Sequence, residues 1–119
     1  MLEQSYSNCV VACHECITAC ERWLDLMARG GRAGEGQHCA DFCRSSIRLC
    51  RLVIDELKLR SAFSIQVCAL GTVICRACAE ECTAGQDPDG LACATACLRA
   101  AEECHAIAAM TQAQALPAR

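Results

Sequence analysis

A chain of 119 residues with 14 cysteines, a formal charge of −3 and only 3 % aromatic side chains excludes more than it admits. The mild acidity offers no broad basic patch for nucleic acid, the scarce aromatics no platform for stacked bases, and no apolar run nears the ~18 residues of a membrane span. What is left is one domain, residues 1–119, large enough to bury a core without covalent staples, in which cysteine is the unusual ingredient.

Apolar residues and cysteines recur at i, i+3, i+4 and i+7, the helical period, in four segments. The first helix is expected over about 5–28, capped by Ser5 or Ser7. It carries Cys9, Cys13, Cys16 and Cys20 as CxxxCxxCxxxC, which at ~100° per residue fall in a narrow arc of one face. RGGRAGEGQ, residues 29–37, is too glycine-rich to continue it. The second helix, about 37–59, carries Cys39, Cys43 and Cys50. Ser61 is placed to cap the third, about 62–84, which carries Cys68, Cys75, Cys78 and Cys82 and stops near Gly85. Asp87 followed by Pro88 is a strong helix start, a capping carboxylate and then proline at the first helical position. The fourth helix, about 88–110, carries Cys93, Cys97 and Cys104, and the tail from Thr111 is expected to fray.

The spacing repeats. Cys13, Cys16 and Cys20 match Cys75, Cys78 and Cys82, and Cys39, Cys43 and Cys50 match Cys93, Cys97 and Cys104, so the chain reads as two related helical hairpins. Short connections predict an all-α, antiparallel up-down-up-down four-helix bundle with a cysteine-lined core. Stacking the stripes by level puts Cys20, Cys39, Cys82 and Cys93 at one end and Cys16, Cys43, Cys78 and Cys97 next. Cys13 and Cys75 follow with Ser46 and Ala100, then Cys9, Cys50 and Cys104 with Gly71, and last Cys68. Beyond Cys9 and Cys68 the stripes continue as Leu2, Tyr6, Ile54, Leu57, Ile65 and Ile107, an apolar plug. At the other end they run into Glu35, Gly36, Gly85, Gln86, Asp89 and Gly90, where ions have the easier way in.

Thiolate is a soft ligand that selects Cu(I) above all, with zinc and iron–sulfur clusters as competitors. CxxC and CxxxC on a helix set two sulfurs side by side, which suits an ion content with two or three thiolates. Structural zinc gathers four ligands around one centre, and iron–sulfur clusters take theirs from compact loops. A stoichiometry of roughly one Cu(I) per cysteine, on the order of ten to fourteen ions, keeps such a core near neutrality. A buffer for another soft metal such as zinc, and a structural bundle with incidental buried thiols, remain as alternatives.

The motifs CxxxCHECxxxC at Cys9–Cys20, HCAxxC at His38–Cys43, CRACAEEC at Cys75–Cys82 and CATACLRAAEECH at Cys93–His105 resemble the cysteine-rich four-helix-bundle copper storage proteins. The resemblance runs from about Asn8 to His105. It implies inward cysteines that store many Cu(I) ions and a homotetramer. Ser46, Gly71 and Ala100 stand where the stripes could have held thiols.

Met1 is followed by no basic n-region, apolar h-region or small-residue cleavage site, so the expectation is a cytoplasmic protein with free or metal-bound thiols. His38, beside the loop end, and Met27, continuing the first stripe past Cys20 with Trp23, are candidate first contacts for incoming metal, although Met27 and Trp23 also read as an apolar cap. His14 and His105 read as outward polar residues. Glu15, Glu80, Glu81, Glu102 and Glu103 read as ordinary outward helix positions, with no ExxH di-iron spacing. No catalytic constellation or phosphate loop is present, and the two CxxC pairs lack the βαβ context of redox chemistry, so no enzyme is expected. Helix three is apolar nearly all round, with Phe63, Val67, Leu70, Val73 and Ile74, which favours a homo-oligomer.

Overall fold

A computed structural model describes residues 2–30 and 37–110. They form four helices: α1 Leu2–Arg29, α2 Gln37–Lys58, α3 Ser64–Ala84 and α4 Pro88–Ala108. The loop positions 31–36, with Glu35 and Gly36, and the tail from Thr111 lie outside the described residues.

The boundaries depart from the sequence reading where local signals met tertiary packing. α1 begins at Leu2, so Ser5 and Ser7 lie inside it and cap nothing. The reason is burial: Tyr6 is in the core and Leu2 packs against it, and a helix with an apolar face to bury runs on past a weak capping signal. α3 starts at Ser64, and its cap position, Phe63, makes no side-chain capping bond. Ser61 acts earlier, in the turn, where its hydroxyl accepts from the Phe63 N–H at 3.0 Å and donates to Glu56 Oε1 at 3.0 Å. That turn closes α2 as well. Ser61 N–H bonds Glu56 C=O and Arg60 N–H bonds Leu57 C=O, with Arg60 in the left-handed region at φ 52°, the paired bonds of a Schellman C-cap.

At the other hairpin Asp87 caps α4 as its sequence demands, with Oδ1 accepting from Asp89 N–H at 2.9 Å and Pro88 in the first turn. Gly85 follows α3 but keeps right-handed backbone, and the left-handed residue is Gln86, φ 54°.

α1 packs against α2 and α4, and α3 against α2 and α4, so the helices make a ring of antiparallel neighbours. Thirteen cysteines are buried on the axis of this ring, and Cys39 is half-buried. Tyr6, Ile54, Leu57 and Ile107 are buried beyond Cys9, with Leu2 and Ile65 half-buried, and make the plug at the closed end. Trp23 and Met27 are buried at the open end. Glu15, Glu80 and Glu102 are exposed, while Glu81 and Glu103 are half-buried.

Two glycines hold tight places in this packing. A Cβ on Gly71 would stand 3.2 Å from Val53 Cγ2 and 3.3 Å from Cys104 Sγ. The stripe therefore has no free space for a thiol at position 71. A Cβ on Gly90 would stand 2.9 Å from the Cys82 carbonyl oxygen and 3.1 Å from Trp23 Cζ2, so the bare glycine is what lets the indole lie against the start of α4.

Candidate metal centre

An inward stripe on each helix sends its thiols to the common axis, and the sulfurs meet there at van der Waals and hydrogen-bond range. Cys39 and Cys82 lie 3.1 Å apart, Sγ to Sγ. Cys82 also reaches Cys43 at 3.8 Å, Cys78 at 3.9 Å and Cys93 at 3.9 Å. Cys93 meets Cys20 at 3.7 Å, Cys20 meets Cys97 at 3.7 Å, and Cys97 meets both Cys16, at 3.6 Å, and Cys78, at 3.7 Å. Cys78 closes the circuit on Cys43 at 3.7 Å. The first two layers expected from sequence are drawn into a single thiol network, with every one of those cysteines in it.

The deeper layers are paired differently from the expectation. Counting along the stripes levels Cys50 with Cys9 and Cys104, and Cys75 with Cys13. Instead Cys50 lies 3.8 Å from Cys75, and these two share a potential ion site with Cys16, while Cys13 shares one with Cys9 and Cys104. The cause is the tilt of each Cα–Cβ bond toward its helix N-terminus. Side chains of α1 and α3 lean toward the closed end and those of α2 and α4 toward the open end, so residues level by their backbones have staggered sulfurs. Cys9 and Cys104 remain together at 3.7 Å as expected.

Five triads have all their sulfurs within 4.8 Å of one another: Cys9, Cys13 and Cys104; Cys16, Cys20 and Cys97; Cys16, Cys50 and Cys75; Cys20, Cys43 and Cys78; and Cys39, Cys43 and Cys82. Cys16, Cys20 and Cys43 each belong to two, so neighbouring sites share sulfurs along the tube. Cys68 and Cys93 stand outside these triads, Cys93 bonded to Cys20 and Cys82, and Cys68 buried toward the plug.

The electrostatics follow from thiols bonding to thiols away from water. Hydrogen bonds from Cys20, then Cys50, lower the pKa of Cys16, while Cys50 is pushed up by its bonds to Cys13 and Cys16, with burial adding to the rise. Cys20 is raised chiefly by its bond to Cys16. Cys93 accepts from Cys82 and donates to Cys20, and Cys78 accepts from Cys97 and donates to Cys43, so a thiolate formed in this network is stabilised by thiols that donate to it. At the open end Cys39 is lowered, first by Cys43 and then by Cys82, with the Trp23 indole contributing. The indole Nε1–H donates to Cys39 Sγ at 3.3 Å.

The sequence reading missed that bond, having placed Trp23 as an apolar cap. Its signal was present in the positions of Trp23 and Cys39 on either side of one loop and Gly90 at the start of the facing helix. Met27 is buried with Trp23, in keeping with the apolar-cap reading, and His38 is exposed next to Cys39. His14 and His105 are exposed, as expected. Beside the open end a surface groove of about 490 Å³ runs between α1 and α4, and Trp23, Asp89 and Cys93 form part of its lining.

The profile of the copper storage protein family, Csp, matches residues 2–109. The Bacillus subtilis (strain 168) protein named "Uncharacterized cysteine-rich protein YhjQ" is 31 % identical over 108 residues, which are 91 % of this chain and all of that one. Among solved structures, the Cu(I)-bound copper storage protein BsCsp3 superposes with a TM-score of 0.78 at 29 % identity, covering 88 % of this chain and 99 % of the other. The apo form of copper storage protein 3 from Bacillus subtilis gives 0.78 at 32 % identity, covering 87 % and 98 %. With the family profile matched over residues 2–109 and a relative 31 % identical along its whole length, the chain belongs to the copper storage protein family.

Proposed function

We propose that this protein stores and buffers Cu(I), holding many ions on the thiolates of Cys9, Cys13, Cys16, Cys20, Cys39, Cys43, Cys50, Cys68, Cys75, Cys78, Cys82, Cys93, Cys97 and Cys104, with no catalytic role. The observation that carries this reading is the run of four sulfur triads linked through Cys16, Cys20 and Cys43, with a fifth triad toward the closed end, since Cu(I) is satisfied by two or three thiolates and tolerates bridging ones. The empty core holds neutral thiols, which pack as small apolar groups. Each incoming Cu(I) displaces one proton, so the interior stays near neutral as it fills. Loading on the order of ten to fourteen ions follows from that charge balance. Because protons compete for the same sulfurs, retention weakens as pH falls.

Ions enter at the open end, where Cys39 is the half-buried cysteine and His38 is exposed beside it. Met27 and Trp23 flank this mouth from α1, and the apolar plug closes the other end. Phe63, Leu70 and Val73 stand 64 %, 49 % and 64 % exposed along α3. Such a stripe supports assembly with further copies, the homotetramer implied by the family resemblance. No helix among the described residues is long and apolar enough to cross a membrane, and the thiol-rich core suits a reducing, cytoplasmic setting. Equilibrium dialysis of the reduced protein against Cu(I) and against Zn(II) tests the reading. More copper than zinc bound per chain is expected, and firmer retention of many zinc ions overturns it.

A further inference from the structure

One buried polar atom in the core is left without a partner. Ser46 is 0 % exposed, and its Oγ has no hydrogen-bond partner among the described residues. It lies on the inward stripe of α2, one turn after Cys43 and one turn before Cys50, which share no sulfur triad. A hydroxyl inside a helix ordinarily satisfies itself on the carbonyl four residues back. Thr72, Thr83 and Thr95 all do so, bonding Cys68 C=O at 2.8 Å, Ala79 C=O at 2.7 Å and Leu91 C=O at 3.0 Å. Ser46 does not.

In the empty protein this is a cost, because an orphaned buried hydroxyl has lost its water and gained nothing. The same group is suited to a core whose thiols have been deprotonated. A thiolate is a much stronger acceptor than a thiol, and a neutral O–H donor can stabilise it without competing for the soft ion.

We propose that Ser46 is a positioning residue for the stored metal: its hydroxyl donates to a metal-bound thiolate of the adjoining triads, so that a group unsatisfied in the empty form becomes satisfied in the loaded form. Ser46 thereby favours loading over emptiness between the triads of Cys43 and that of Cys50, where Ser46 and Ala100 stand in the stripes in place of thiols. The proposal rests on the Cu(I)-storage reading and assigns Ser46 no direct bond to the metal.

The test compares the full-length reduced wild type with Ser46→Ala under anaerobic conditions, using Cu(I) as the probe. Two quantities are read, the melting temperature of the empty form and the release of Cu(I) to a strong bidentate chelator, followed through the copper–thiolate absorption. The variant's empty form is expected to melt about 3 °C or more higher. Its loaded form is expected to surrender one or two ions about tenfold more readily, with a change in the absorption band. A packing role would move stability and retention in the same direction. Unchanged release from the variant, or a lower melting temperature of its empty form, overturns the proposal. Wild type that fails to take up many Cu(I) ions overturns the storage reading instead, so the two failures are distinct.

Discussion

The indole N–H of Trp23 donates to the sulfur of Cys39 at 3.3 Å, joining the end of the first cysteine stripe to the start of the second at the mouth of the bundle. Trp23 is the only tryptophan in the chain, so its emission reports on one thiol. An ion arriving at Cys39 turns the thiol that accepts from the indole into a metal-bound thiolate, which changes that hydrogen bond and the surroundings of the ring. Stopped-flow mixing with Cu(I) is expected to change the tryptophan emission before the bulk of the copper–thiolate absorption develops. In Cys39→Ala that early phase should vanish, and an emission change that tracks the slow absorption would place the entrance elsewhere.

Cys16 belongs to two triads, and Cys78 bonds Cys43, Cys82 and Cys97. Replacing both with Ala removes two ligands from the middle of the tube while leaving helix-favouring residues in place. Capacity is expected to fall by about two Cu(I) ions or more, in proportion to the thiolates lost. Circular dichroism should show the helical content retained. Each truncation costs about 1 kcal/mol through the small cavity it leaves. Unchanged capacity in the double variant would show that these sulfurs do not hold metal.

The two constrained glycines separate by what a methyl group would strike. At Gly71 the obstacles are the tips of Val53 and Cys104 side chains, at 3.2 and 3.3 Å, which can give, and alanine gains about 0.5–1 kcal/mol in a helix. Gly71→Ala is therefore expected to be close to neutral in thermal unfolding. At Gly90 the obstacle at 2.9 Å is the backbone carbonyl of Cys82, and the indole of Trp23 follows at 3.1 Å. Gly90→Ala is expected to destabilise by about 1–3 kcal/mol and to shift the tryptophan emission.

Cys39 and Cys82, at 3.1 Å, are closer than the other hydrogen-bonded thiol pairs among the described residues, and Cys39 is half-buried. Hydrogen peroxide at low excess should reach Cys39 first, giving a sulfenic acid and water, and the Cys82 thiol should then displace a second water to close a disulfide. Peptide mapping of the metal-free protein is expected to find this bridge before any other. Prior loading with Cu(I) should protect it.

Much of this architecture was legible because cysteine here obeys the helical period. CxxxCxxCxxxC fixes a face, the Asp87-Pro88 step fixes a helix start, and the order of the stripes fixes which ends meet. The level assignments of Cys13, Cys50 and Cys75 failed because counting residues locates Cα atoms, while the sulfurs lie a tilted bond away and in opposite senses on antiparallel helices. The caps at Ser5, Ser7 and Ser61 misled for a different reason. A hydroxyl signals that a helix can start nearby, but burial of Tyr6 and the closing turn of α2 decided where each one did. Gly71 looked like a missing thiol and is instead a site already filled from Val53 and Cys104. The Trp23–Cys39 bond and the unpartnered hydroxyl of Ser46 required atoms in three dimensions.

The central claim is that the sulfur-lined axis is a store rather than a packing device. Anaerobic titration of the fully reduced protein with Cu(I) against a strong competing chelator tests it most directly, with proton release measured in the same experiment. The account predicts tight uptake of on the order of ten to fourteen ions per chain and about one proton released per ion. Tight uptake of only one or two ions would contradict it.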